Sequence, residues 1–583
     1  MKNTDLPFKT TKRMTISQEP ISLEVVLGTF VFEVPLYQRE FSWELEQVSD
    51  LYHDIEISTD IEGHFLGSLL LSKKDEDDKI REVIDGQQRL TTLFLILYSI
   101  KKSLESSPDY SRALESMNNL LYQRRKSLLK ADTSEEPRLS TGKRDKRLFR
   151  AILQGTETTP HKDGRVKSHK LLMSIHDFLS TQIEKLKSVK GMDGVVEFAE
   201  KVINTKFIQM LAEKKTDKIL LFKTLNARGI ELSQSDLIKN EVCNPSIRKN
   251  INEEEAIALW DDMRETLEKA KADIDVFLFH YINSLSDAPD LRKSIEERRG
   301  MKNEKDSYPP VPEKYIFDVY EEKLKGIPNT EDFLNDLKTS AEHYVEIYNP
   351  KPGKVYLSSL KVLNTNKSYP LLLRAKKILN DKNFEALCKS IECLSFRHSI
   401  MKIDPKDLEK FYYAALNKLK SNDDIDIVIK EVKEHATMSP SLDKKFKTDF
   451  EQAYPRTNIS KMILSRISRH LHEGFDFETG DIWLEHIMPQ TVKAGSSWEE
   501  LKELDTELYD FTVDRIGNLT LLQKKLNIQA SNKSFDKKKT DYYEKSAVKI
   551  TKEILDYAAW DFDTIETRQE KLFEYVKEIW KLD

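Results

Sequence analysis

Apolar positions recur at two spacings along the chain, and the change between them divides it. Near the N-terminus short compact apolar runs alternate with longer periodic ones, which predicts mixed α/β structure. Ile21–Leu27 reads as a short helix and Phe30–Val34 as a strand closed by Pro35. An amphipathic helix follows over Trp43–Ile57. Phe65–Leu71 and Ile80–Ile84 read as strands on either side of the acidic turn Asp75-Glu76-Asp77-Asp78. Asp85-Gly86 then breaks the chain ahead of a helix over Gln88–Leu104, with Leu90, Leu93, Leu97 and Ile100 on one face. From about Ser111 to His470 the periodicity is overwhelmingly helical. Polar loops interrupt it near Gly155–Val166, Ser284–Asp290, Arg299–Pro312 and Asn349–Lys354, and Tyr308–Pro312 reads as a hinge. After Glu473 the pattern changes again: strands over Ile482–Met488 and Arg515–Leu522 precede a lysine-rich helical segment from Asn527. Two strands and a helix in that order suit a ββα metal finger.

The expected architecture is therefore mainly α, with an α+β N-terminal domain and a C-terminal ββα finger set among helices. We expect four parts: a core over 1–110, a helical extension over 111–300, a helical middle over 301–470 and a terminal domain over 471–583. A charged fraction of 33% with only 17 glycines suits such a helix-rich chain. The most apolar run, Leu90–Ile100, contains Thr91, Thr92 and Ser99 and is too short to cross a bilayer, so no membrane span is expected. No secretory signal is visible behind Met1. Cys243, Cys388 and Cys393 lack zinc-ribbon spacing and read as buried free thiols in a reducing cytoplasm. The net charge of −6 excludes a globally basic nucleic-acid coat but leaves room for a local basic groove.

Two constellations carry candidate chemistry. The first comprises Leu484-Glu485-His486-Ile487-Met488-Pro489-Gln490, then Arg515-Ile516-Gly517-Asn518-Leu519-Thr520-Leu521-Leu522, then Asn527 and Ser531-Asn532. Phosphodiester cleavage needs a base to deprotonate water and a divalent cation to carry charge on the phosphate and leaving oxygen. Neutral imidazole suits the first task, and carboxylate and amide oxygens suit Mg²⁺. Adjacent residues of an ideal strand face opposite sides, so Glu485 and His486 reach one phosphate only if the strand is distorted or the metal sits at its edge. The lysines that follow, Lys524, Lys525, Lys533, Lys537 and Lys538 among them, outnumber nearby acids. Alone they read as a solvated helix face; beside a site that cleaves phosphodiesters they read as a phosphate-contacting surface.

The second constellation pairs Pro35-Leu36-Tyr37-Gln38-Arg39-Glu40-Phe41-Ser42-Trp43 with Asp85-Gly86-Gln87-Gln88-Arg89. An apolar strand running through Asp-Gly into a helix places free N–H groups and Arg89 where a phosphate could sit. No P-loop motif occurs in the chain. A tight turn whose arginine pairs with an acid is the plainer alternative.

Taken in order, the C-terminal blocks resemble the HNH (His-Me finger) nuclease domain of GmrSD-type restriction enzymes. The N-terminal pair resembles the ParB/sulfiredoxin-like domain of the same family. A third block, Phe222-Lys223-Thr224-Leu225-Asn226-Ala227-Arg228-Gly229, stands where the family carries it. The resemblance covers about the first 240 and the last 110 residues. It implies that His486 is the general base, that Glu485 and Asn527 hold Mg²⁺, Mn²⁺ or another divalent ion, and that Asn518 braces the loop between the strands. The roles of Asn518 and Asn527 could be exchanged, or shared with Asn532. It implies nucleotide binding and hydrolysis (ATP, GTP, CTP or UTP) through Asp85, Gly86, Gln87, Gln88 and Arg89. Tyr37, Gln38 and Arg39 would line the same pocket or read DNA, and Asn226 and Arg228 would complete it. The expected protein is a modification-dependent antiphage endonuclease that nicks or cuts modified phage DNA, is regulated by nucleotide and forms a homodimer. The alternative is a nucleotide-binding DNA sensor whose finger is inactive.

Overall fold

The computed structural model describes the chain apart from residues 1–13, 17–18, 36–37, 59–62, 75–76, 127–132, 157–166, 213–232, 299–310, 437–439, 454, 472–480 and 582–583. It is mainly helical, with an α/β region at the N-terminus. The chain folds as two compact units, Met1–Ser246 and Ile247–Asp583.

In the first unit a seven-stranded sheet is built from β1 (Met14–Ile16), β2 (Ile21–Ser22), β3 (Val31–Glu33), β4 (Phe65–Lys74), β5 (Asp77–Asp85), β8 (Leu139–Ser140) and β9 (Lys206–Ala212). A separate hairpin pairs β6 (Tyr122–Lys126) with β7 (Thr133–Pro137). The sheet runs β1-β9-β4-β5-β3-β8, with β2 also on β9. β4 and β5 are antiparallel, whereas β4 and β9 are parallel, as are β5 and β3. The helix Gln87–Leu104 crosses this sheet with nearly every side chain buried. Apolar residues all around a helix mean that it lies inside the core, here between the sheet and Lys167–Ile203.

Several predicted elements recur with altered edges. The run read as a helix over Ile21–Leu27 opens with β2, and its helix runs Leu23–Thr29, capped by the Ser22 hydroxyl accepting from Val25 N–H. The strands bracketing the acidic turn are longer than their apolar cores. Strand β9 and the β6–β7 hairpin fall inside the stretch expected to be overwhelmingly helical. Tyr308 to Pro310 of the expected hinge lie outside the described residues. Cys243, Cys388 and Cys393 are buried free thiols. Among the described residues no helix is long and apolar enough to cross a membrane.

In the second unit, helices over 253–470 lead into the terminal finger, and the two share one apolar core. Ile463, Leu464 and Ile467 of the helix Thr457–His470 pack with Ile482, Leu519 and Leu521 of the finger. Further up, His280 sits among Tyr344 and Tyr369, with ring centroids at 5.8 and 5.4 Å, and its Nδ1 lies 3.1 Å from the Tyr344 hydroxyl. Burial lowers its pKa from the ordinary histidine value to about 4, with Lys367 adding to the effect. Between that value and the unfolded value of about 6.5, the unfolded chain binds more protons. The contribution is therefore intact above about pH 6.5 and is lost as pH falls toward 4, by up to about 3 kcal/mol. In melting curves recorded from pH 7 to pH 5, His280→Phe, which has no proton to gain, should lose less stability than wild type. Parallel losses in the two proteins would contradict this.

Candidate active site

The terminal finger begins with β10 (Ile482–His486), which pairs antiparallel with β11 (Leu519–Gln523) so that Glu485 faces Thr520 and His486 faces Leu519 in register. The helix Lys524–Ala530 follows directly. Alternation sends Ile482, Leu519 and Leu521 into the core shared with the helices, while Ile487 and Leu522 join a second cluster with Trp498, Tyr509, Tyr543 and Trp560. The ribbon is thus held from both faces.

Local chemistry explains the Arg515-Ile516-Gly517-Asn518 block. A Cβ on Gly517 would stand 2.2 Å from the Ile565 carbonyl oxygen, so only glycine allows this approach to the helix Phe562–Ile579. Gln569 accepts from Gly517 N–H at 2.7 Å, and the buried Arg568 guanidinium donates to the carbonyls of Gly517 and Leu519 at 2.6 and 2.8 Å. Burial pushes Arg568 down to about 10, so it stays charged at neutral pH. Asn518 is fully buried. Its Oδ1 accepts from Met488 N–H at 2.8 Å and from the Trp560 indole at 3.0 Å. Its Nδ2 donates to the carbonyls of Met488 and Val513, both at 2.8 Å. With its amide engaged on both sides, Asn518 ties the segment after His486 to the segment before β11.

Glu485 and His486 obey strand alternation and point different ways. Glu485 is 4% exposed, and its Oε1 accepts from Lys538 Nζ at 2.8 Å and from the Tyr543 hydroxyl at 3.0 Å. Lys538 also donates to the His486 carbonyl at 2.6 Å, joining the carboxylate to the backbone of the next residue. Burial pushes Glu485 up and Lys538 down from their ordinary values, while each partner pulls the other back. This corrects the expectation for Lys538. Its side chain is wholly buried and contacts no solvent, so it is not part of a phosphate-facing surface. A buried ammonium needs a buried carboxylate, and Glu485 selects this lysine from its run. Of the remaining lysines, Lys524, Lys525 and Lys537 are exposed, and Lys533 lies half-buried over the Tyr542 ring.

His486 is partly exposed, and its Nε2 lies 3.0 Å from Asp514 Oδ1. A carboxylate can only accept, so Nε2 carries the proton and Nδ1 presents its lone pair. Gln490 Nε2 donates to the same Asp514 oxygen at 2.8 Å. Burial lowers the His486 pKa and Asp514 raises it again, with burial the larger effect. The imidazole is therefore neutral at pH 7, as a base must be. Asp514, immediately before the Arg515 block, was not singled out from the sequence, and Gln490 stood in the first block without a role.

Two oxygens here receive no hydrogen bond from a described residue, Glu485 Oε2 and Asn527 Oδ1. Asn527 is anchored beside β10 by its Nδ2, which donates to the Leu484 carbonyl at 3.0 Å. One carboxylate and one amide oxygen suit a hard divalent cation that keeps most of its water. Among the described residues no group of three His, Cys, Asp or Glu side chains could hold a metal. An ion held by Glu485 and Asn527 would therefore be one that needs few protein ligands.

In the first unit the two N-terminal motifs meet. Gln38 is buried and its amide donates to the Ile84 carbonyl at 3.0 Å. Gln87 and Gln88 donate to the carbonyls of Arg39 and Glu40, both at 3.2 Å, and Gln88 Oε1 accepts from Ser42 N–H at 2.9 Å. Asp145, also missed in the sequence, accepts from Phe41 N–H at 2.8 Å and from the Ser168 hydroxyl at 2.6 Å. The glutamine amides thus fasten residues 38–42 to the start of the helix, so the nitrogens expected to face a ligand face main chain. Gly86 takes φ 95°, and a Cβ there would meet Leu69 at 2.8 Å. Arg89 is corrected too: its guanidinium donates to the carbonyls of Leu66 and Ser68 of β4 and pairs with Asp85 at 3.3 Å. It locks sheet to helix and is not an open phosphate cradle. Arg39, by contrast, is half-buried, with no side-chain bond to a described residue. Tyr37, Asn226 and Arg228 lie outside the described residues.

A model of the GmrSD restriction endonuclease N-terminal domain matches residues 22–243, and one of the GmrSD restriction endonucleases' C-terminal domain matches residues 441–575. No curated protein matches the chain. The two matches together take in more than half of the sequence, in the order and at the places where the two motif clusters stand. The chain belongs to the GmrSD restriction endonucleases.

Proposed function

We propose that this endonuclease cuts modified phage DNA in the cytoplasm at the Glu485–His486 site, using a divalent metal, under the control of a nucleotide bound by the N-terminal unit. The observation that carries the reading is the His486 ring, with Nε2 fixed by Asp514, Nδ1 unoccupied by any described residue and the ring neutral at pH 7. In this scheme His486 Nδ1 takes a proton from water as its oxygen bonds to phosphorus and the opposite P–O bond breaks. Because Glu485 and His486 leave the regular strand on different sides, the cation that Glu485 and Asn527 would hold has to sit at the strand edge to share a phosphate with His486, while Asn518 keeps the loop in place. When bound, the cation supplies positive charge against the phosphate and leaving oxygen. Lys538 and Tyr543 orient the Glu485 carboxylate, in the way that outer partners fix a ligand. Lys524, Lys525 and Lys537 remain exposed and available to DNA phosphates. A homodimer would place two such sites on opposite strands.

The test is cleavage of plasmid DNA and of modified and unmodified phage DNA with Mg²⁺ or Mn²⁺, with and without each NTP. Metal-dependent cleavage that prefers modified DNA and responds to nucleotide is expected. Equal cleavage of unmodified DNA, indifferent to nucleotide, would sink the gating half of the proposal.

For the nucleotide pocket the informative position is Arg39. Substitution of Arg89 would break contacts that hold β4, whereas the Arg39 guanidinium holds nothing described in place. Arg39→Ala should lower NTP hydrolysis by about tenfold or more, the loss expected for a charge-assisted phosphate contact, without lowering the melting temperature. Unchanged turnover would remove Arg39 from the pocket.

A further inference from the structure

Behind the finger, the second unit contains a cavity of about 270 Å³ between the helices Val355–Val362 and Thr457–His470. Its charge is one-sided. Lys461, Arg466 and Arg469 line it and no Asp or Glu does, in a chain whose net charge is −6. Asn458, Lys461, Ser465 and Arg469 follow one another at spacings of three and four, so they form one polar stripe along a helix. The apolar positions Ile463, Leu464 and Ile467 of the same helix pack in the core shared with the nuclease strands.

Two of these three cations have no ionic partner among the described residues. Lys461 and Arg469 make no side-chain hydrogen bond or ion pair with any described residue, and burial holds Lys461 below the ordinary lysine value. Arg466 donates through Nη2 to the buried Glu392 at 3.1 Å and lies over the rings of Tyr356 and Trp580, yet its Nε is buried without a partner. Across the cavity the Ser358 hydroxyl is likewise buried and unpartnered. Buried donors without acceptors are costly, and Glu392 offsets only one of the three charges around the cavity, those of half-buried Lys461 and exposed Arg469 staying unpaired. An anion with several acceptor oxygens removes both costs. Val355 and Met462 supply an apolar wall beside it.

We propose that this cavity is a binding site for a phosphate group, with Lys461, Arg466 and Arg469 as its cations and Ser358 and Asn458 as its neutral donors. The phosphate can belong to a free nucleotide whose body lies on the apolar wall, or to the backbone of DNA. Phosphate fits better than a carboxylate because its oxygens reach donors on several sides.

The experiment is calorimetric titration of the full chain with ADP, with inorganic pyrophosphate and with a 20-base-pair duplex, comparing wild type with Lys461→Met and Arg469→Gln. Neither side chain holds a described partner, so both variants should melt no lower than wild type, and Lys461→Arg should bind as wild type does. If ADP and pyrophosphate lose about tenfold or more in affinity in both variants, and Arg39→Ala does not reproduce that loss, the ligand is a small phosphorylated molecule. If the duplex alone weakens by that factor, the phosphate belongs to DNA. If no probe binds wild type, or none is weakened in either variant, the proposal is overturned.

Discussion

His486→Ala should slow DNA cleavage by about 10²- to 10⁴-fold, the range a positioned general base supplies, while the protein stays folded and still binds DNA. The ring is partly exposed and its one described side-chain bond runs to Asp514, itself 52% exposed, so removing it leaves no buried polar group unpaired. Stability should therefore fall by less than about 1 kcal/mol. The comparison is a single-turnover plasmid assay read beside a melting curve. A variant that cuts as fast as wild type would move the chemistry elsewhere. Asp514→Asn should give a milder defect, since an amide oxygen can still accept from Nε2 but no longer supports charge on the ring.

Asn518→Ala should act the other way round, through the fold. Its removal strands Met488 N–H, the carbonyls of Met488 and Val513 and the Trp560 indole in a buried place. At about 1–3 kcal/mol for each group, reduced by relaxation and non-additivity, a loss of about 3–5 kcal/mol is expected. Cleavage should fall as well, because Met488 lies two residues beyond the His486 imidazole and small misplacements of a reacting group cost rate steeply. Asn518→Asp should not rescue, because it offers two carbonyls a negative charge where they met N–H donors. Melting temperature and cleavage rate should therefore drop together in both variants, whereas in His486→Ala only the rate drops. A stable Asn518→Ala protein would show that the loop is held by something else.

The contrast between these residues also shows what could be read from the chain. The terminal strands were legible because short apolar runs are stopped by Pro489 or lead into a helix; β10 lies within its run, whereas β11 takes only Leu519–Gln523, because Ile516–Asn518 forms a 3-10 turn where the strand was expected to begin. Strand β9 was not. Lys206–Ala212 directly follows a long helix and has too few residues for its period to declare itself, and its pairing with β1, β2 and β4 decides the matter. The β6–β7 hairpin is dense in charge, carrying Arg124, Arg125 and Lys126 on one strand and Glu135 and Glu136 on the other, so no apolar alternation marks it. Within the site, residue type was legible and partner was not. Lys538 looks like its neighbours Lys537 and Lys539, and only a carboxylate 53 positions away distinguishes it. Gln38, Gln87 and Gln88 looked like ligand groups because amides suit ligands, but amides suit unpaired main chain equally well. Arg89 was misread for the same reason: nothing local announces the β4 carbonyls that occupy it.

The central claim is that the neutral imidazole of His486 removes the proton from the attacking water. Rescue of His486→Gly by added imidazole, in single-turnover plasmid cleavage with Mg²⁺, tests it most directly. The account predicts that His486→Gly is nearly inactive, that its rate climbs with the concentration of unprotonated imidazole, and that the same additive leaves wild type unchanged. Cleavage by His486→Gly at the wild-type rate without imidazole would contradict it.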